Sequence, residues 1–190
     1  MKKVVAAIVV FLLLAAAIGF FRVLRYGFSA RDEPTRVEAA LARTMRHWSA
    51  PSSLRGRKNP VPLTPAVLAA ARAHFADHCA SCHGNDGKGT SALGALMYPR
   101  TPDMTQPGTQ ALSDGELFAI IENGVRLTGM PAFGSGTPQS AAESWALVHF
   151  IRHLPRLTRE EIAEMEKLNP KTPEEWKQMQ DEAAFLGESK

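Results

Sequence analysis

Hydrophobic and polar positions divide the chain into one unbroken apolar run and a series of amphipathic segments. From Val4 to Phe21 no charged side chain occurs, and two lysines precede the run. Coiled as a helix, these 18 residues would span roughly 27 Å, close to the hydrocarbon thickness of a bilayer. The run has no polar face, so it does not read as the core helix of a soluble domain. Ala15 and Ala17 offer a small-x-small cleavage site, but Ile18 to Phe21 continue the apolar run past it. An uncleaved transmembrane anchor over residues 1–21 is therefore expected, with a cleaved signal as the alternative.

The remainder has helical spacing with legible start signals. In 35–48, Thr35 and Glu38 have capping-box spacing, and Val37, Leu41 and Met45 share a face. The proline-rich stretch 50–63 reads as a linker, or as a strap lying over a domain. Thr64-Pro65 opens an alanine-rich helix running into two cysteines. Ser113 with Glu116, Ser140 with Glu143, Thr158 with Glu161 and Thr172 with Glu175 predict four more helices. No segment alternates like a strand, so the expected class is all-α. The boundaries expected are an anchor or signal at 1–21, a basic juxtamembrane segment and linker at 22–63, a domain at 64–154 and a helical tail at 155–190. Segments 84–112 and 124–139 are rich in glycine and proline. So long a loop inside a compact domain is unusual unless something other than side chains fills the core.

Composition changes this picture little, but the distribution of charge does. The net charge is +3, while residues 22–60 alone hold nine basic and three acidic groups. Arginines beside an apolar span suit lipid headgroups. Nucleic-acid binding, which needs basic residues on a folded face with interleaved aromatics, is not expected.

The chemistry is concentrated in CASCHGNDGKG, residues 79–89, which contain the chain's two cysteines and His83. A redox dithiol would sit at a strand-to-helix junction, and no strand is in sight. A structural zinc site needs four ligands, and Cys79, Cys82 and His83 supply three. The third reading is covalent haem c. Cys79 and Cys82 would add to its two vinyl groups, and His83 would point its imidazole at the iron. A second axial ligand could come from Met97, Met104, Met130, His149 or His153. Met130, in the loop sequence GMPAF between two capped helices, is the expected one. Haem attachment outside the cytoplasm would place Lys2 and Lys3 inside and the haem domain in the periplasm, held by the bacterial inner membrane.

These motifs resemble a class I monohaem c-type cytochrome. The residues carrying the likeness are CASCH at 79–83, GNDGKG after it, YPRTPDM at 98–104, LSDGELFAIIENG at 112–124, GMPAF at 129–133 and a closing helix with Trp145 and Phe150. The likeness is greatest to bacterial membrane-attached members and to cytochrome c domains of haem-copper oxidase subunits. It covers residues 64–154 and implies that the first and last helices of the domain cross. Val67, Ala71 and Phe75 would then meet Trp145, Val148 and Ile151. It further implies that Tyr98, Pro99, Arg100 and Pro102 line the haem, with Arg100 and Arg126 near the propionates. The expected function is one-electron transfer between redox protein partners, without enzymatic activity and without a small-molecule substrate at the iron. The alternative is a cytochrome subunit of a larger respiratory enzyme. A haem enzyme or gas sensor would require an iron that Met130 leaves open.

Overall fold

The computed structural model describes residues 2–27 and 29–188. Among them no strand occurs, and the chain forms ten α-helices joined by loops and short 3-10 or π turns. It divides into two compact units, at Glu33 and Pro34.

The first unit holds α1 (Lys2–Tyr26). Its apolar side chains Val4 to Leu24 are exposed, and the helix is long and apolar enough to cross a membrane. The helix continues beyond Phe21 into Arg22 and Arg25, which places basic groups at the end of the apolar run.

The second unit begins with α2 (Arg36–Ser49) and the single turn α3 (Ser52–Arg55). It continues with α4 (Pro65–His74), one π-helical turn over Phe75–Cys79, and α5 (Ala80–His83). A long loop containing the short α6 (Pro107–Gln110) leads to α7 (Asp114–Asn123). Then follow α8 (Pro138–His153), α9 (Arg159–Leu168) and α10 (Pro173–Glu188).

Helix starts follow the local sequence. Thr64 caps α4 with Pro65 in its first turn, and Ser113–Glu116 and Thr158–Glu161 form reciprocal capping boxes. Two starts differ from expectation. The start of α8 is set by Thr137 and Pro138, not by Ser140, because Thr137 accepts the Ser140 amide and proline presets the first turn. At α2 only half of the box forms: Thr35 accepts the Glu38 amide, while the Glu38 carboxylate turns to the Tyr98 hydroxyl.

The core lies where α4 and its π turn meet α8. Ala71, Phe75, Ala76 and Ala80 pack with Trp145, Val148, Phe150 and Ile151. The Phe75 and Phe150 rings lie 5.0 Å apart, and Phe118 of α7 stacks on Trp145 at 4.2 Å. Leu68, rather than the expected Val67, joins this cluster. The π turn re-phases the helix so that two consecutive residues, Phe75 and Ala76, are both buried ahead of the cysteines.

Residues 50–63 form a strap over the domain. The Arg57 carbonyl accepts the Gly115 amide, Asn59 donates to the Trp145 carbonyl at 2.7 Å, and His149 Nε2 lies 2.7 Å from the Val61 carbonyl. In the tail, α9 packs on the domain: Met165 is fully buried in the core, and Arg72 reaches Glu161 and Glu164. The segment that looked too long for a loop is tied back by its own backbone. Gly89 donates to the His83 carbonyl, Met104 to Gly87 and Thr101 to Gly94, and the Met104 side chain is buried.

Candidate cofactor site

Local helical geometry gathers the first three candidates. Cys79 closes the π turn, and Cys82 and His83 end α5 one turn later. Both sulfurs are free thiols, half-buried, and not joined to each other. Glycine ends the helix directly after His83, and its amide is accepted by the Ala80 carbonyl.

A residue that sequence reading missed holds this turn in place. Ser91 Oγ lies 2.8 Å from the carbonyl oxygens of both Ser81 and Cys82, and it accepts the Gly94 amide at 3.0 Å. One hydroxyl thereby ties the loop to the cysteine turn. Nothing in the sequence marks Ser91, because its partners are backbone atoms brought near only by the folded loop.

Burial sets the electrostatics. It pushes the Cys79 thiol up to about 12, with the neighbouring Cys82 adding to the effect. A redox dithiol needs a lowered thiol pKa, so this pair is poorly suited to thiol–disulfide exchange. Among the described residues no group of three His, Cys, Asp or Glu side chains is arranged to hold a metal ion. A zinc site built from protein ligands therefore has no support in this geometry.

Burial also lowers His83 to about 4, so the imidazole is neutral at physiological pH. Its Nδ1 is sealed from solvent and has no hydrogen-bond partner. An unpartnered buried nitrogen costs about 1–3 kcal/mol in the protein alone. The other described histidines are engaged: His47 with Glu116, His149 with Val61, His153 with Glu161, and His74 with His78 ring to edge. His83 stands apart from them, next to two thiols and 6.4 Å from the Phe75 ring. A half-buried imidazole with one sealed, unpartnered nitrogen, beside two free thiols, fits a group that takes one nitrogen ligand and two thioether bonds.

Met130 lies half-buried in the loop between α7 and α8. Its amide donates to Thr128 Oγ1, and its carbonyl accepts the Val125 amide. Gly124, at φ +63°, starts this loop; a Cβ there would lie 2.5 Å from the Pro131 carbonyl carbon and 2.7 Å from the Met130 oxygen. The loop is also close to Met97, since a Cβ on Gly129 would sit 2.5 Å from the Met97 sulfur. Two thioethers thus neighbour the same turn. Met104 belongs to the core instead.

Tyr98, Pro99 and Arg100 occupy the loop after Met97. Tyr98 is half-buried with its hydroxyl on Glu38, while Pro99 and Arg100 are exposed, as is Arg126. The Tyr98 loop meets α2, a contact that no local pattern in the chain foretells.

Residues 66–151 match the family described as cytochrome c oxidase, cbb3-type, subunit III. No curated protein matches the chain. The matched span runs from the first turn of α4 to the last turn of α8, and so includes the cysteine turn and the Met130 loop. A c-type cytochrome domain behind an apolar N-terminal helix fits a membrane-anchored class I cytochrome c.

Proposed function

From a cytochrome c domain set behind an apolar helix, we propose a membrane-tethered one-electron carrier of the periplasm, with α1 in the inner membrane. The observation that carries this reading is the sealed, unpartnered Nδ1 of His83 immediately after Cys82, inside the span that matches the cytochrome family. Haem c, held by thioethers from Cys79 and Cys82, supplies an iron that changes oxidation state by one electron.

The residues of the chain do the rest. His83 would hold the iron through its imidazole. Met130 would offer a thioether to the same iron, from a loop fixed by Thr128 and Gly124. The buried side chains of Phe75, Phe150 and Met104 would keep water from the core side of the group and so disfavour the extra charge of the oxidised state. With both residues bound, the iron would be closed to small-molecule substrates, and the protein would act as a carrier without enzymatic activity. Half-buried Cys79 and Cys82 mark the edge through which redox protein partners exchange electrons.

A carbon monoxide difference spectrum of the reduced, haem-loaded protein tests this. An unchanged spectrum is expected, with Met130→Ala becoming responsive and shifting to a lower potential. Met97→Ala is the control for the neighbouring thioether and should stay unresponsive. A response in the unaltered protein would mean an open iron. A response in Met97→Ala but not in Met130→Ala would transfer the ligand role to Met97.

The description of the matched family favours a second reading, a cytochrome subunit that feeds electrons into a larger respiratory complex. Stoichiometric co-purification with membrane proteins in mild detergent would favour it over the free carrier.

A further inference from the structure

Helix α2 is placed the wrong way round for a surface helix of a soluble domain. Its polar side faces the protein: His47 Nδ1 lies 2.6 Å from Glu116 Oε1, Glu38 accepts the Tyr98 hydroxyl, and Arg46 is half-buried. Its apolar side faces outward. Val37, Leu41, Met45 and Trp48 are 78%, 59%, 60% and 72% exposed, and at helical spacing they form one continuous stripe along the helix. An amphipathic helix ordinarily turns such a stripe to its own core.

We propose that this stripe lies in the headgroup–acyl boundary of the bilayer that α1 spans, so that α2 is a second, interfacial membrane contact. Three features select lipid as the occupant. First, Tyr26 ends α1 and Arg36 begins α2, leaving residues 27–35 between them. Nine residues reach at most about 30 Å, so the stripe cannot leave the neighbourhood of the membrane surface. Second, Arg36 and Arg43 lie seven positions apart and are exposed on the polar side of the helix. On that face guanidinium groups reach the phosphates of the surrounding headgroups when such a helix lies in the surface plane. Third, a tryptophan with three flexible or branched aliphatics is the composition that enters this boundary, about 5–10 Å deep.

The consequence concerns orientation. Through Glu38, α2 is bound to the Tyr98 loop, and through His47 to the start of α7. A helix fixed on the lipid surface would hold the domain with that side towards the membrane. The electron-exchange edge would then have a set direction, and the domain would not tumble freely on a tether.

The proposal rests on the reading of α1 as a membrane anchor, and the test separates the two. Full-length, haem-loaded protein is reconstituted into vesicles of phosphatidylethanolamine and phosphatidylglycerol containing a phospholipid with a diazirine high on its acyl chain. After irradiation, lipid adducts are mapped by peptide. In parallel, Leu41→Cys and Arg43→Cys are alkylated with a membrane-impermeant maleimide. Adducts on both α1 and the 37–48 peptides are expected. Alkylation at position 41 should be slower than at 43 by about tenfold or more, because a thiol in apolar surroundings loses thiolate. Adducts on α1 alone, with equal alkylation rates, overturn the interfacial helix and leave the anchor standing. Protection at position 41 without lipid adducts on α2 also overturns it, since a second copy or another protein then covers the stripe. No adducts on α1 would remove the anchor, and this proposal with it.

Discussion

At the scale of single residues, the cysteine turn and the methionine loop obey different physics. Cys79, Cys82 and His83 are placed by one helical turn, so their order in the chain already determines their arrangement. Met130 depends on a backbone path that passes through Gly124 at φ +63°. Gly124→Ala should cost about 1–3 kcal/mol for the backbone alone, because φ +63° with ψ −167° is a region essentially reserved for glycine. Its Cβ would also press on Pro131 and the Met130 carbonyl. The expected outcome is a lower melting temperature together with a carbon monoxide response in the reduced protein. Gly108→Ala, whose Cβ would meet open space, should show neither. Ser91 is the counterpart at this scale: it is as closely bound to the site as any ligand candidate, yet the chain around it has no pattern to reveal it.

Among the elements, α9 is the informative one. Met165 is fully buried in the core, and Glu161 bridges Arg72 of α4 and His153 of α8. Met165→Ala should therefore destabilise the haem domain itself, by about 2–5 kcal/mol. Thermal unfolding of the haem-loaded protein measures this, and an unchanged transition would mean that α9 is not integral to the domain. Burial alone would raise the Glu161 pKa. The Thr158 amide, His153 and Arg72 outweigh burial, and hold the carboxyl below its usual range. The unfolded chain then binds the proton more readily, so the stabilisation is present above the ordinary carboxylate pKa and is lost as pH falls through the lower folded value. Melting temperature should decline on acidification below about pH 5. Glu161→Gln should melt lower at neutral pH but decline less in acid. Glu116 follows the same logic: burial raises it, and Ser113 and His47 outweigh burial. It will contribute the part of the acid loss that Glu161→Gln leaves behind. α10, by contrast, keeps Trp176 and Met179 exposed, so the tail divides between an element bound to the core and one that leaves these two side chains outside it.

The whole molecule is an apolar N-terminal helix long enough to cross a membrane and a helical domain that gathers in the chain on either side of its matched span. The strap before α4 closes over α7 and α8, and α9 closes over α4. Both flanks lie outside the matched residues 66–151, yet they supply core residues such as Ala50 and Met165. A chain trimmed to the matched span would expose that core. Electron transfer by the intact protein therefore depends on parts of the sequence that carry none of its redox chemistry.

By itself the sequence determined whatever rests on neighbours in the chain. The apolar run, the helix starts at Thr64, Ser113 and Thr158, the all-α class and the cysteine turn all follow from spacing, capping and side-chain chemistry over a few residues. Tertiary structure alone decided what rests on distant partners. Leu68 rather than Val67 enters the core because the packing of α4 against α8 selects one row of side chains. The Glu38 carboxylate leaves its own helix start because Tyr98 arrives there from 60 positions away. α2 has its apolar stripe outward because His47 and Glu38 find their partners on the domain. Those contacts become available only when long loops have closed, and no local pattern encodes them.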